Sequence, residues 1–300
     1  MKVIPPITID DSVLTSSNVP ENDYPEWASG TTYAIDDRVI VTATHVIYES
    51  VVGSNTGNAP ATDDGTHWIA VGSTNRWRAF NGRLSDQVSQ SGSIEYTLAL
   101  SGLVYGIAFF GLEASSVQVQ IVDDFSAEVF NETKSIIDNT YVVDWLSWLD
   151  EPVIYDSEAL FLWIPGRSGY TVTITIDAGA GSAKVGQIVL GKIYELGTAT
   201  EGTTVGFKDY STKEMDDFGN LNIVPRDYSR NVTFNFAFKT RDARRILRIL
   251  SSLRATPAVY FMGDGTSDFA TTVYGSFPDF EAPLNVGEIS YSSIKVEGLV

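Results

Sequence analysis

The chain has 300 residues, 43% of them hydrophobic and 12% aromatic, which is enough for more than one buried core. Against 38 acidic residues stand 20 basic ones, a formal charge of −18, so generic binding to nucleic-acid phosphates is excluded. There is no cysteine, which removes disulfides and thiolate metal sites.

Residues 1–24 are polar, with Val3-Ile4-Pro5-Pro6 ahead of Ile7-Thr8-Ile9. The stretch reads as a short strand, a loosely held terminus or an arm reaching a neighbouring subunit. It lacks the apolar core of a signal peptide, so synthesis in the cytoplasm is expected, and the chain would leave it only within an assembly. The longest apolar run, around Leu103 to Leu112, holds two glycines and is about half a membrane span.

Residues 25–75 set Trp27, Tyr33, Tyr48 and Trp68 in short strand-like pieces between turn residues. A few rings packed on a three-stranded sheet can hold so small a unit, because each ring buries a large apolar area. Strand signals then recur over 76–196: Ile94–Leu98, Val104–Phe110, Ser116–Val122 and Tyr170–Ile176. The last two alternate apolar with polar, as a strand with one wet face must. Turn residues separate them at intervals of about ten residues, which predicts a β-sandwich of jelly-roll type. Asp144–Asp150 interrupts the pattern as a helical turn or exposed loop.

In 197–300, Val232–Phe238 alternates as a strand, and Thr240 is placed to cap a helix with Asp242 in its first turn. Ala243, Ile246, Leu247, Leu250 and Leu253 make an apolar stripe, and Pro257 ends the helix. Ala258–Met262, a turn at Gly263-Asp264-Gly265, Thr271–Gly275 and Ile289–Val296 complete a small antiparallel sheet carrying one helix. The fold class expected is thus mainly β: an aromatic three-stranded module, a β-sandwich, and a sheet plus one α-helix.

The spacing Trp27, Tyr33, Asp37-Arg38-Val39, Tyr48, Asn55-Thr56-Gly57, Pro60, Trp68 resembles the small chitin- and cellulose-binding modules of carbohydrate-binding families 5 and 12. Such modules also occur in tailed-bacteriophage virion proteins. The run Gly206–Lys213, then Asp217-Phe218-Gly219-Asn220, the strand–helix–Pro257–strand unit, Val273-Tyr274-Gly275 and Glu297-Gly298-Leu299 resemble tailed-phage and prophage tail proteins. Val185–Gly191 looks like the end of the sandwich in those proteins, and the last unit is similar to the tail-tube and distal-tail fold, which closes into rings. The resemblance implies a virion component at the tail tip or baseplate, a homo-oligomer that docks other tail proteins.

For the module the resemblance implies glycan contact through Trp27, Tyr33, Tyr48 and Trp68. Two departures weaken the match. Tyr48 is followed by Glu49-Ser50-Val51-Val52-Gly53-Ser54 with no aromatic, and Asp36 stands where the pattern has glycine. Glycan binding and use as a spacer or docking knob therefore both stay open. Five of the twenty basic residues fall between Arg241 and Arg254. Arg241, Arg244, Arg245 and Arg248 read as a solvated helix face or as a ridge meeting an acidic patch of the next subunit in a ring.

Catalysis has little support. The two histidines, His45 and His67, both lie in the module, so no Ser-His-Asp site can form elsewhere. Gly166-Arg167-Ser168-Gly169 is one residue short of a nucleophile elbow, and His67 beside Trp68 reads as structural. Asp264–Asp268 lacks the remaining ligands of a calcium loop. The expectation is a non-enzymatic structural subunit of a phage tail, with no cofactor, no metal, no specific nucleic acid and no membrane span. The alternative is a monomeric carbohydrate-binding protein.

Overall fold

The computed structural model describes residues 1–138, 144–150, 154–215, 219–263, 271–281 and 287–299. The chain is mainly β. It starts with β1 (Lys2–Ile4) and β2 (Leu14–Ser17), then enters the small module: β3 (Thr32–Tyr33), β4 (Arg38–Val41), β5 (Val46–Ser50), β6 (Asn55–Thr56) and β7 (Trp68–Ser73). The middle unit holds β8 (Val88–Ala99), β9 (Val104–Phe110), β10 (Ser116–Val122), β11 (Glu128–Ser135), β12 (Ile137–Asp138), helix α1 (Trp145–Asp150), β13 (Ile154–Tyr155), β14 (Glu158–Gly166), β15 (Thr171–Val185) and β16 (Gln187–Gly191). Next come β17 (Tyr194–Glu195), β18 (Thr198–Ala199), β19 (Thr204–Asp209), β20 (Thr212–Met215), β21 (Leu221–Val224), β22 (Tyr228–Lys239), α2 (Ala243–Ser252), β23 (Ala258–Phe261), β24 (Val273–Ser276) and β25 (Ile289–Gly298).

The middle unit is a sandwich of two antiparallel sheets, ordered β11-β10-β15-β8-β2 and β14-β9-β16. Strand β10 and the first half of β15 alternate buried and half-buried along their length, because one face meets the core and the other water. The second sheet behaves differently. Strand β16 is buried throughout and β9 almost so, and these stretches are runs of consecutive apolar residues rather than alternations. Phe109, Phe161, Ile188 and Leu190 face the sandwich core. Their neighbours Ala108, Phe110, Leu160 and Val189 face a second core, shared with Ile4, Val259, Phe261 and Tyr274 of the C-terminal sheet. A strand buried on both faces needs apolar side chains at both parities. Each such side chain contributes about 1.5–3 kcal/mol on burial, so this middle layer ties the sandwich firmly to the C-terminal sheet.

That sheet has the order β17-β1-β23-β24-β25-β22-β18, with β19 also on β22. Its two ends belong to one short segment: Tyr194 and Glu195 pair with β1, whereas Thr198 and Ala199 pair with β22. The sheet therefore curls round almost into a barrel. Gly197 lies at the corner, where a Cβ would run into the Ala237 carbonyl oxygen and the Phe236 ring. The C-terminal unit thus takes up its first strand before Gly197.

Residues 1–24 are part of this body. Val3 and Ile4 are fully buried, with β1 between β17 and β23. Downstream, β2 extends the five-stranded sheet by pairing with β8. The short strand is what forms here, because two sheet edges are open to receive the chain.

Helix α2 packs Ala243, Ile246, Leu250 and Leu253 against Phe234, Phe236, Tyr260 and Val296. Two details differ from expectation. Leu247 is 44% exposed, and Ile249 packs on the core instead, so the buried stripe is rotated by part of a turn. Thr240 does not cap the helix: a 3-10 turn, Thr240–Asp242, precedes it. The Thr240 hydroxyl instead donates to the Gly287 carbonyl at 2.8 Å.

Candidate functional site

The small module is built around three buried side chains, Tyr33, Val39 and Trp68, with Trp27 and Tyr48 packed at the margin. The Tyr33 and Trp68 rings meet edge to face at 5.1 Å, a favoured quadrupole arrangement. The Tyr33 hydroxyl accepts from the Ala28 amide at 2.8 Å, and the Trp68 indole N–H donates to the Asn58 carbonyl at 2.9 Å. Asp63 gathers the loop before β7: one carboxylate oxygen accepts from the amides of Gly65, His67 and Trp68, and the other meets His67 Nδ1 at 2.9 Å. Those donors, the His67 amide first, hold the Asp63 carboxyl well below the usual carboxylate range. His67 is thus engaged in holding its loop. Asp36 adopts φ 67°, the left-handed conformation for which the resembling modules use glycine and which Asp tolerates better than most residues.

Of the four aromatics implied for sugar contact, Tyr33 and Trp68 are buried, at 8% and 2% exposure, and Trp27 and Tyr48 are half-buried. A ring that fills a core cannot offer its face to a sugar. A cleft of about 920 Å³ beside β4 is lined by Tyr24, Tyr33, Asp36, Asp37, Arg38 and Glu49 among others, so that of the four aromatics Tyr33 borders it. Arg38 organises it. Its Nε donates to Glu49 Oε2 at 2.7 Å, Nη1 donates to the Tyr24 hydroxyl at 3.2 Å, and the guanidinium lies 5.8 Å from the Tyr24 ring centre. The guanidinium is thus held between the Glu49 carboxylate and the Tyr24 hydroxyl, among further acidic side chains. Such a surface can bind hydroxyl groups and repels anions.

Arg241, Arg244, Arg245 and Arg248 are all exposed, as is Arg254. Arg245 Nη2 donates to the Glu195 carbonyl at 3.0 Å. Among the described residues no acidic side chain is seen paired with any of these five arginines. A further basic element lies close by, since Lys2, Lys239, Arg241 and Arg245 line one groove beside β18.

One exposed apolar surface is one that periodicity did not single out. Strand β19 runs along the first half of β22 and is exposed at every position. The chain then continues into the two-stranded ribbon β20–β21. Phe207 and Met215 are each 74% exposed, and Val205, Leu221, Ile223, Val224 and Tyr228 also stand in solvent. The motif Gly206–Lys213 marks this place, but its lack of one-sided alternation gave no sign that both faces would be bare.

One half-buried ion pair joins the sandwich to the C-terminal sheet. Arg230 Nη1 on β22 donates to Glu158 Oε1 on β14 at 2.8 Å and to the Thr272 carbonyl at 3.0 Å. Glu158 Oε2 is buried without a hydrogen-bond partner. Burial raises the Glu158 carboxyl to about 7 despite the opposing guanidinium. The Asp264–Asp268 loop lies outside the described residues.

No family model matches the chain, and no curated protein matches it. Among solved structures it is similar to a mutant lectin-binding domain of lectinolysin complexed with Lewis b, at 9% identity, over 39% of this chain and 82% of that one, with a TM-score of 0.28. It is also similar to a mutant of chitosan-binding module 1 from a chitosanase/glucanase of Paenibacillus sp. IK-5, at 11% identity, over 39% and 84%, with a TM-score of 0.26. Both likenesses fall below the level at which a common fold is established.

Proposed function

We propose that this chain is a non-catalytic structural subunit that assembles with copies of itself and with companion proteins, as its sequence resemblance to phage tail-tip proteins implies. The observation that carries the reading is the bare strand β19, which extends a core sheet, and the ribbon β20–β21 that follows it; together they expose Val205, Phe207, Met215, Leu221 and Ile223. Apolar side chains clustered on this scale mark interaction surfaces. The arginines from Arg241 to Arg254, on a chain of net charge −18, supply a complementary contact for an acidic neighbour. Sedimentation velocity over a range of concentrations tests the proposal. The native chain should form discrete oligomers, and F207S/M215S should shift them to monomer. A chain that stays monomeric at the highest concentrations overturns the reading, and so does release of reducing ends from a polysaccharide.

A second reading, carbohydrate binding by the module, is favoured by the Tyr24–Arg38 cleft, where two tyrosine rings lie among polar side chains that donate and accept hydrogen bonds. Affinity electrophoresis in immobilised polysaccharides would show retardation lost in R38A and kept in Y48A.

A further inference from the structure

The turn that joins β4 to β5 carries His45, held at φ 58°, and its ring leaves the module. Nδ1 lies 3.0 Å from Glu21 Oε1, and Nε2 lies 3.0 Å from Asp11 Oδ1, both on the N-terminal stretch. The imidazole stacks on the Trp77 ring, 4.1 Å between centres and 23° between planes, and Trp77 belongs to the sandwich core. The backbone takes part as well, since the Thr74 amide donates to the His45 carbonyl at 2.9 Å. One side chain of the module therefore touches both the N-terminal stretch and the sandwich.

These contacts set the proton count. An ionised carboxylate only accepts hydrogen bonds, and a neutral imidazole carries one N–H. Two ring nitrogens facing two carboxylates are both satisfied only when both carry hydrogen, that is, as imidazolium. Removing the proton leaves a ring lone pair against a carboxylate oxygen. Glu21 is nearly buried, whereas Asp11 is 73% exposed, so Asp11 is the partner that can turn away to water. The other charged groups at this junction are already committed to one another: Arg78 bridges Asp23 and Asp86, each at 3.0 Å, and Arg76 Nε donates to the Val19 carbonyl at 2.7 Å.

We propose that His45 is a proton-operated clamp: as imidazolium it seats the aromatic module on Asp11, Glu21 and Trp77, and on losing its proton it frees Asp11 and lets the module swing on its two chain crossings. The inference stands apart from the assembly proposal, since a monomer and a ring subunit would show it alike. Its consequence is that the position of Arg38 relative to Tyr24, and so the shape of the cleft between them, depends on acidity.

The test is hydrogen–deuterium exchange of the whole chain at about pH 5.5 and about pH 8.5, corrected for intrinsic rates, with nitrogen-15 spectra of the histidine rings alongside. In the native chain the Thr74 amide and the turn before β5 should exchange about tenfold faster at the higher pH, the worth of one charge-assisted hydrogen bond. H45Q, which donates but cannot ionise, should exchange at the fast level at both. His45 should show two protonated nitrogens at the lower pH, with H67N identifying which signal is His45. A single protonated nitrogen there, equal native exchange at both pH values, or a pH dependence that survives in H45Q each overturns the clamp. If H45Q fails to fold, the ring spectra of the native chain decide alone.

Discussion

Replacing Arg230 with methionine removes the counter-charge of Glu158 while keeping much of the side-chain volume at the junction of sandwich and barrel. The cost should depend on pH in a calculable way. Burial raises the Glu158 carboxyl from its ordinary 4.5 to about 7, so the folded state holds that proton more tightly than the unfolded chain does. The contribution of Glu158 to stability is therefore fully present below about pH 4.5, is lost as the pH climbs through about 7, and is level above that. The whole change amounts to about 3 kcal/mol. In R230M the carboxyl loses the guanidinium that holds it down and keeps its proton at about pH 8, so the cost there exceeds the low-pH cost by about 1.4 kcal/mol for the one pH unit above 7. At about pH 5 the carboxyl is protonated, and the loss falls to roughly 1 kcal/mol, the worth of an ordinary hydrogen bond. Urea unfolding at both pH values measures the two costs, and E158Q should flatten the native pH profile. Equal costs for R230M at both pH values, or a native-like profile in E158Q, would refute the reasoning. Replacing both partners, as E158L/R230M, should recover most of the stability at the higher pH, because a buried pair and an apolar pair of like volume differ little.

The packing leads to three further expected outcomes. W68F keeps the ring contact with Tyr33 but strands the Asn58 carbonyl, so the module should lose about 1–3 kcal/mol in urea titrations followed by the Tyr33 ring resonances. D63N weakens a carboxylate held below its usual range by the His67, Trp68 and Gly65 amides. That stability is present above about pH 4 and lost as the pH falls further, so the melting-temperature gap between D63N and native protein should close in acid. In G191A the new Cβ would meet the Pro5 carbonyl and Ile4, costing about 1–3 kcal/mol; an unchanged melting temperature would mean that β1 does not lie against β16.

The local pattern already contained much of this molecule. Strict alternation in Ser116–Val122, Tyr170–Ile176 and Val232–Phe238 determined strands with one wet face, because a period of two leaves no other way to bury half the side chains. The rings from Trp27 to Trp68 marked a small aromatic unit, and the helix expected before Pro257 formed, though it ends at Ser252 in a turn that precedes the proline. Pattern reports that a face is covered, however, and not by what. The pairing of β1 with β23, the double burial of β9 and β16, and the contact of Glu158 with Arg230 depend on residues far apart in the chain, which no local pattern brings together. Tertiary packing also decided that Tyr33 and Trp68 fill a core, since a ring with nothing else to cover it in so small a module is drawn inward. The same packing left Phe207 and Met215 bare, because no other part of the described chain reaches the ribbon that carries them.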